Sequence, residues 1–318
     1  MTAEGNAPTA QIAQRWASNK EDLRSVATAL RQGDLGLVNS GDEVTLRRVR
    51  LAAQAMDLEA VIDEDDSLWL SFLSRGLTAA RAVCRVVTML PRRPVTPEGT
   101  GVLISPRLLL TNHHVVPEPQ RAVGMGAQLG YEHDDEGREL PCEERPLAPE
   151  TFFFTVPTSD LDFTVVALGG NPPRSTVCVP LIEQGGKVLK GEALNVVHHP
   201  GGERKRVSIR QNRLVSEDEF WLRYTSDTRR GSSGAPVFND QWEMVALHHG
   251  GVPALDEEGH RITRTGEPWN RSMGEDAALY RWNEGARVSR IVRRFREADL
   301  PDGQWALLAE ALDEGAHA

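Results

Sequence analysis

The apolar positions of the first sixty or so residues recur at helical spacing. Ser18 with Glu21 three residues on has the form of a capping box, and Leu23, Val26, Ala27 and Leu30 come next on one face. Gly33 closes that segment. Ser40 and Glu43 repeat the start signal, and Leu46, Val49, Ala53 and Met56 carry a second stripe. A third segment, Ser67 to Val87, places Trp69, Leu70, Leu73, Leu77 and Ala80 at mostly helical intervals. Short amphipathic helices cannot bury such stripes alone, so these are expected to pack on each other or on the remainder of the chain. Pro91, Pro94, Pro97 and Gly99 then interrupt the pattern and mark a boundary.

Beyond Gly99 the period shortens. Val102–Ile104 and Leu108–Thr111 flank Ser105-Pro106-Arg107 as a predicted hairpin. Thr164–Leu168, Ala193–Val197, Val207–Ile209, Phe220–Tyr224, Ala235–Phe238 and Met244–Leu247 read as further strands. Many short strands separated by Gly and Pro favour a sandwich or barrel over an α/β arrangement. Val288, Ile291, Val292 and Phe295 share one face of a closing helix.

Composition narrows this further. The chain has 318 residues, room for several cores without covalent staples. No stretch approaches the roughly 18 apolar residues of a membrane span, and Met1 to Pro8 lacks the basic and apolar regions of a secretory signal. Cys84, Cys142 and Cys178 are odd in number and widely spaced, so reduced thiols in a cytoplasmic protein are expected. A formal charge of −10 argues against nonspecific nucleic-acid binding. Arg290, Arg293, Arg294 and Arg296 cluster on the closing helix, where a solvated polar face is expected.

Three segments carry candidate chemistry. Gly231-Ser232-Ser233-Gly234-Ala235-Pro236-Val237-Phe238-Asn239 has glycines on both sides of a serine. They permit a tight turn, a protruding hydroxyl and amides aimed at one spot, although a plain turn into a strand has the same composition. Thr111-Asn112-His113-His114-Val115-Val116 sets a polar cluster at the end of an apolar hairpin, where a general base has to sit. Ser159-Asp160-Leu161-Asp162 precedes the buried run from Phe163 to Leu168, a position from which a carboxylate can orient an imidazole.

Together and in this order, the segments resemble the trypsin-like serine peptidases, particularly the bacterial branch similar to glutamyl endopeptidases. The Thr-Asn-x-His-Val block of that branch matches Thr111–Val115 and makes His114, rather than His113, the general base. Asp162 of Asp-Phe-Thr-Val-Val matches the third triad member better than Asp160 does. The Gly-x-Ser-Gly-x-Pro block puts the nucleophile at Ser233, with Gly231 and Ser233 amides as oxyanion hole. The resemblance runs from about Gly99 to Arg296. It implies a mainly β protein of two perpendicular six-stranded antiparallel Greek-key β-barrels, chymotrypsin-like, with an N-terminal α-helical region and a C-terminal helix. It also implies acyl transfer without metal or organic cofactor. The division expected is 1–62 as helical region, 63–300 as protease domain with its lead-in helix, and 301–318 as C-terminal helical tail.

The resemblance places Asp227, Thr228, His248 and Gly250 in the substrate pocket, with conflicting implications. Asp227 lies six residues before Ser233, where trypsins bind Lys or Arg, and the reading leans that way. Thr228 and His248 match positions that glutamyl endopeptidases use for an acidic side chain, which an ionised Asp227 would repel. Asp227 could instead point away and pair with His248 or an arginine. The residue before the nucleophile is Ser232, which argues against activation by an inserted N-terminus. Val252 to Trp282 is longer and more polar than a simple turn, either a substrate-facing loop or lid or a surface insertion.

Two rivals to a protease reading are a zinc site and a silent module. His113-His114, His198-His199 and His248-His249 could supply metal ligands, but neighbours on a strand face opposite ways, so each pair offers one. A catalytically silent protease-fold binding or adaptor module is the other rival. By analogy with helical modules fused to intracellular bacterial proteases in defence and signalling, the N-terminal helices are expected either to recruit a regulatory protein or to buttress the barrel. The expected partners are thus a protein or peptide substrate and that regulator, without nucleic acid or membrane.

Overall fold

The computed structural model describes Val44, Arg47 and residues 68–312. The expected helices before residue 67 therefore lie outside the described residues. Within them the chain is mainly β, with two antiparallel sheets of seven strands and few helices, consistent with a chymotrypsin-like double barrel. Each sheet thus has one strand more than the six expected.

The first sheet contains β1 (Val83–Thr88), β2 (Thr96–Ser105), β3 (Leu108–Thr111), β4 (Met125–Leu129), β5 (Glu143–Pro146), β6 (Phe153–Val156) and β7 (Phe163–Ala167), ordered β5-β4-β1-β2-β3-β7-β6. The second contains β8 (Asn195–His198), β9 (Arg206–Ser208), β10 (Leu214–Glu217), β11 (Trp221–Tyr224), β12 (Pro236–Phe238), β13 (Met244–Pro253) and β14 (Tyr280–Arg287), ordered β10-β11-β14-β13-β12-β8-β9. The Ser105–Arg107 hairpin forms as its sequence predicts, Leu103 opposing Leu109.

The segment Ser67 to Val87 divides where its period changes. Helix α1 covers Ser71–Arg81, and Val83 onward is strand β1, paired on both sides with β2 and β4. The run Val83, Cys84, Val86, Val87 and Thr88 is rich in β-branched side chains, which lose χ1 freedom in a helix and suit a buried central strand. The stripe expected on α1 is reversed as well. Leu70, Leu73 and Leu77 are exposed, whereas Gly76 and Ala79 are buried. Small residues face inward because α1 lies close against Trp242, the residue just before Glu243 and β13.

Helix α2 (Val288–Arg296) comes directly after β14 and returns to the first sheet. Its buried Val288, Ile291, Val292 and Phe295 join the core of that sheet, and Phe295 meets Phe163 edge-on at 5.5 Å. Its arginines lie on the outer face, Arg293 and Arg296 exposed and Arg290 and Arg294 half-buried. Arg290 pairs with Glu219, Arg294 with Asp160 and Arg296 with Glu183. Helix α3 (Asp302–Ala309) adds Leu308 to the same core. A second core of Leu194, Val196, Leu222, Val237 and neighbours fills the other sheet.

Polar ties join the sheets. Buried Arg85 on β1 donates to Gln128 on β4 and to the carbonyl of Gly202, between β8 and β9. Arg47 donates to both carboxylate oxygens of Glu192 at 2.9 Å. Between β13 and β14, Val252 to Trp282 is pinned by short bridges such as Thr263 to Ala278, so it is an ordered excursion. All three cysteines are free thiols, and burial pushes Cys84 up to about 12. No described helix is long and apolar enough to cross a membrane.

Candidate active site

The first half of the site grows from the ends of β3 and β7. Strand β3 delivers Thr111, whose hydroxyl donates to Thr100 O at 2.7 Å, and the chain then turns through Asn112, His113 and His114. Asn112 braces that turn: its Nδ2 donates to Asp162 O at 2.9 Å, and its carbonyl accepts from Val115 and Val116. Asp162 sits in the turn before β7 with φ +49°, the left-handed region that Asp tolerates better than most residues. Its side chain is fully buried and takes four hydrogen bonds. Oδ1 accepts from the His114 backbone N–H and the Thr158 hydroxyl, both at 3.0 Å. Oδ2 meets His114 Nδ1 at 2.6 Å and His249 Nδ1 at 2.6 Å. Burial, the largest single influence, acts to raise this carboxyl, but the combined pull of His114 and His249 holds it well below the usual carboxylate range.

Neighbouring candidates fall outside this arrangement. His113 turns away to Thr155, Nδ1 to Oγ1 2.8 Å, and burial lowers its affinity for a proton. Asp160 is held by Arg294. His114 and Asp162 are therefore the members of their segments that meet.

The second half is the turn before β12. Gly231 has φ +95° and Gly234 has φ +85°, both in the region only glycine enters freely. A Cβ on Gly231 would lie 2.7 Å from His199 O, and one on Gly234 2.1 Å from Thr100 O. The turn is thus pressed against β2 and the loop after β8. Thr100 fastens it twice, its N–H donating to Ser233 O at 2.8 Å and its hydroxyl to Gly231 O at 2.7 Å, and the same hydroxyl accepts from His199 N–H in the loop after β8. Gly99, with no Cβ, fits between Val115 and Ser233 O, and this brings the serine turn alongside the residue next to His114.

The two serines differ in their surroundings. Ser232 is buried and its hydroxyl is engaged by His198 Nδ1 at 2.8 Å and by Arg229 N–H. Ser233 is partly exposed. The amides of Ser232 and Gly234 donate to Arg229 O and His248 O, while those of Gly231 and Ser233 make no hydrogen bond among the described residues. Two free amides flanking one serine are what an oxyanion requires. Ser233 and His114 share no hydrogen bond among the described residues, a looseness common in sites without substrate.

Of the expected pocket residues, Asp227 is exposed, and among the described residues only its carbonyl is engaged, by Ser208 Oγ. Thr228 donates to Asn283 Oδ1 at 2.8 Å. His248 is buried against Tyr224, Nδ1 to the phenol oxygen 2.8 Å, and not against Asp227. Burial drives its pKa down to about 3, with His198, His249 and His114 adding to the effect, so it is neutral near pH 7. Gly250 faces Glu284 on β14, whose carboxylate is neutralised by Arg223.

His249 is the residue that sequence reasoning missed. The register between β13 and β14 slips between His248 and Gly250, leaving His249 as the extra residue of a bulge. A bulge re-aims side chains, so both histidines turn into the protein and the rule of opposite faces fails here. The repeated His-His pair was the only available signal. His114, Asp162 and His249 also form the one cluster of potential metal ligands among the described residues. Their ligand atoms are spaced for hydrogen bonds: two ligands on a tetrahedral zinc stand about 3.3 Å apart, given Zn–ligand distances near 2 Å. At 2.6 Å the three do not fit a preformed cage.

Residues 99–247 match the sequence profile of the trypsin-like peptidase domain. Over this stretch the chain is similar to that family, and the protein carries a trypsin-like serine protease fold. An uncharacterised protein of Sinorhizobium fredii, y4fB, is 37% identical over 259 residues, covering 75% of this chain. The chain spans 39% of the length of that relative. Among solved structures, the active form of the Rv3671c protease of Mycobacterium tuberculosis aligns with TM-score 0.47 and 15% identity, over 78% of this chain and 96% of its own. A serine endoprotease from Yersinia pestis aligns with TM-score 0.46 and 16% identity, over 73% of this chain and 67% of its own. Likenesses this distant leave mechanism and substrate to the geometry of the site.

Proposed function

We propose that the chain is a serine endopeptidase with Ser233 as nucleophile, His114 as general base and Asp162 as the carboxylate that orients it. The observation that carries this is the double hold of Asp162 on His114, through backbone N–H and Nδ1 at once, opposite a glycine-flanked serine with two free amides. With Nδ1 carrying its proton towards Asp162, Nε2 is the basic nitrogen. It takes the Ser233 proton as Oγ bonds to the peptide carbonyl carbon. The carbonyl oxygen becomes an anion held by the Gly231 and Ser233 amides. Collapse breaks the C–N bond, and His114 returns the proton to the leaving amine. Water then repeats the sequence, freeing the acid and restoring Ser233.

For the residue before the cut, the placement of the pocket residues favours an acidic side chain over a basic one. Asp227 is exposed, whereas Thr228 and neutral His248 lie inward, and Tyr224 occupies His248 Nδ1 so that Nε2 is left to meet a carboxylate. The biological reading is of a cytoplasmic protease that cuts a protein substrate under control of a partner held by the N-terminal region. That part rests on the sequence alone.

The test is fluorophosphonate labelling and peptide-library cleavage by the parent and by Ser233→Ala. The parent is expected to label and to cut after Glu or Asp, and the variant to do neither. Cleavage after Lys or Arg would return Asp227 to the pocket. Absence of labelling in the parent would favour the silent binding module.

A further inference from the structure

The proposed mechanism uses one imidazole on Asp162, and the structure contains two. His249 is 1% exposed and packs between Trp221, tilted at 5.0 Å between ring centres, and His114, edge-on at 6.1 Å. Its Nδ1 meets the same oxygen, Asp162 Oδ2, that holds His114 Nδ1. Because a carboxylate only accepts, both Nδ1 atoms carry protons and donate. His249 Nε2 is then a bare acceptor, buried and without a partner among the described residues. A core chosen for stability alone does not place an imidazole where one nitrogen goes unsatisfied, since this costs about 1–3 kcal/mol. The bulge in β13 is what aims the ring at Asp162.

Resting on the peptidase reading, we propose that His249 is a positioning residue that shares Asp162 Oδ2 with His114 and thereby sets both the orientation of the carboxylate and its hold on the base. It touches neither substrate nor the reacting atoms. Without its proton, Asp162 loses one of four donors, and Oδ2 concentrates its acceptor strength on His114. An unshared oxygen stabilises protonated His114 more, so the active neutral form appears only at higher pH. The titratable groups facing the pair are His113, which burial disfavours from protonating, and His248, driven down to about 3. Burial favours the neutral form of both, so the shift reports on Asp162.

The pH dependence of fluorophosphonate labelling tests this. His249→Leu keeps bulk but removes the donor, and its labelling midpoint is expected to rise by up to about one pH unit. His249→Asn places an Nδ2 donor where the imidazole Nδ1 was, and is expected to restore the parental midpoint. Equal midpoints in all three proteins would overturn the proposal. A second readout needs neither activity nor a folded leucine variant. Protein labelled with 15N-histidine is expected to show two strongly downfield Nδ1–H protons, one of which persists in His114→Ala. If the only such proton disappears in that variant, His249 does not donate to Asp162. Should the parent fail to label at all, the peptidase reading falls while the downfield protons still decide the His249 contact.

Discussion

Asp162 gathers the polar contacts of this site onto one carboxylate. A buried carboxylate is tolerated because four donors surround it, and two of them come from His114 itself. Asp162→Asn keeps the shape, but its amide has one accepting oxygen in place of two and cannot take all four donors, and His114 is left free to adopt the wrong tautomer. Labelling of Ser233 is expected to slow by about 10³–10⁴-fold while the melting temperature falls by only a few degrees. A variant that labels at the parental rate would show that Asp162 does not serve His114 in the reaction. The meeting of His114 with Asp162 is readable in the sequence because each occupies a fixed offset in a short motif. His249 is unreadable there, since its role depends on a one-residue register slip that no local pattern encodes.

At the scale of elements, α1 and β1 show how an apolar pattern can mislead. Leucines at helical spacing imply a buried stripe, yet Gly76 and Ala79 face the protein and the leucines face out. The reason is contact distance: a Cβ on Gly76 would lie 2.3 Å from Trp242 Cζ2, with Phe72 and Phe238 packed on the same indole. Gly76→Ala gains about 1 kcal/mol of helix propensity but forces the ring aside, and overpacking costs typically about 1–3 kcal/mol. The expected net result is destabilisation, read as a lower urea midpoint with unchanged slope; a raised midpoint would place α1 off Trp242. Strand β1 reads as more helix because an apolar run continues across Ala82 without a Gly or Pro to mark the change. Its β-branched content is the legible clue.

Across the whole molecule, the larger apolar core reaches from the first sheet into the second through Val197, Trp221, Phe238, Leu247 and Ala286, and buried histidines lie beside it. Burial lowers His198 to about 4, with Arg206 adding to the effect, and lowers His199 to about 3 despite the opposing pull of the Glu203 carbonyl. With His248 these rings are neutral in the folded protein, whereas in the unfolded chain they bind protons below about pH 6.5. Unfolding therefore takes up protons as pH falls from about 6.5 towards 3, so stability is complete above that window and drains away within it. Asp162, held ionised below the usual carboxylate range, adds a loss of the same sign at the acid end. Calorimetry at a series of pH values is expected to show the melting temperature falling steadily between about pH 6.5 and about pH 4. His199→Gln, which removes one of these proton sites, is expected to fall less steeply; a flat profile in the parent would mean the histidines are not buried as described.

The sequence by itself determined the class. Short strands with frequent turns, a polar His turn at the end of an apolar hairpin, an Asp before a buried strand and a glycine-flanked serine are local patterns, and local patterns survive without knowledge of what packs against them. Tertiary structure decided everything that depends on two distant segments meeting: Thr100 fastening the Ser233 turn, His248 turning to Tyr224 instead of Asp227, α1 inverted over Trp242, and His249 arriving at Asp162 from 87 residues away. Register and approach distance are properties of pairs of strands and helices, and a single run of residues carries no record of them.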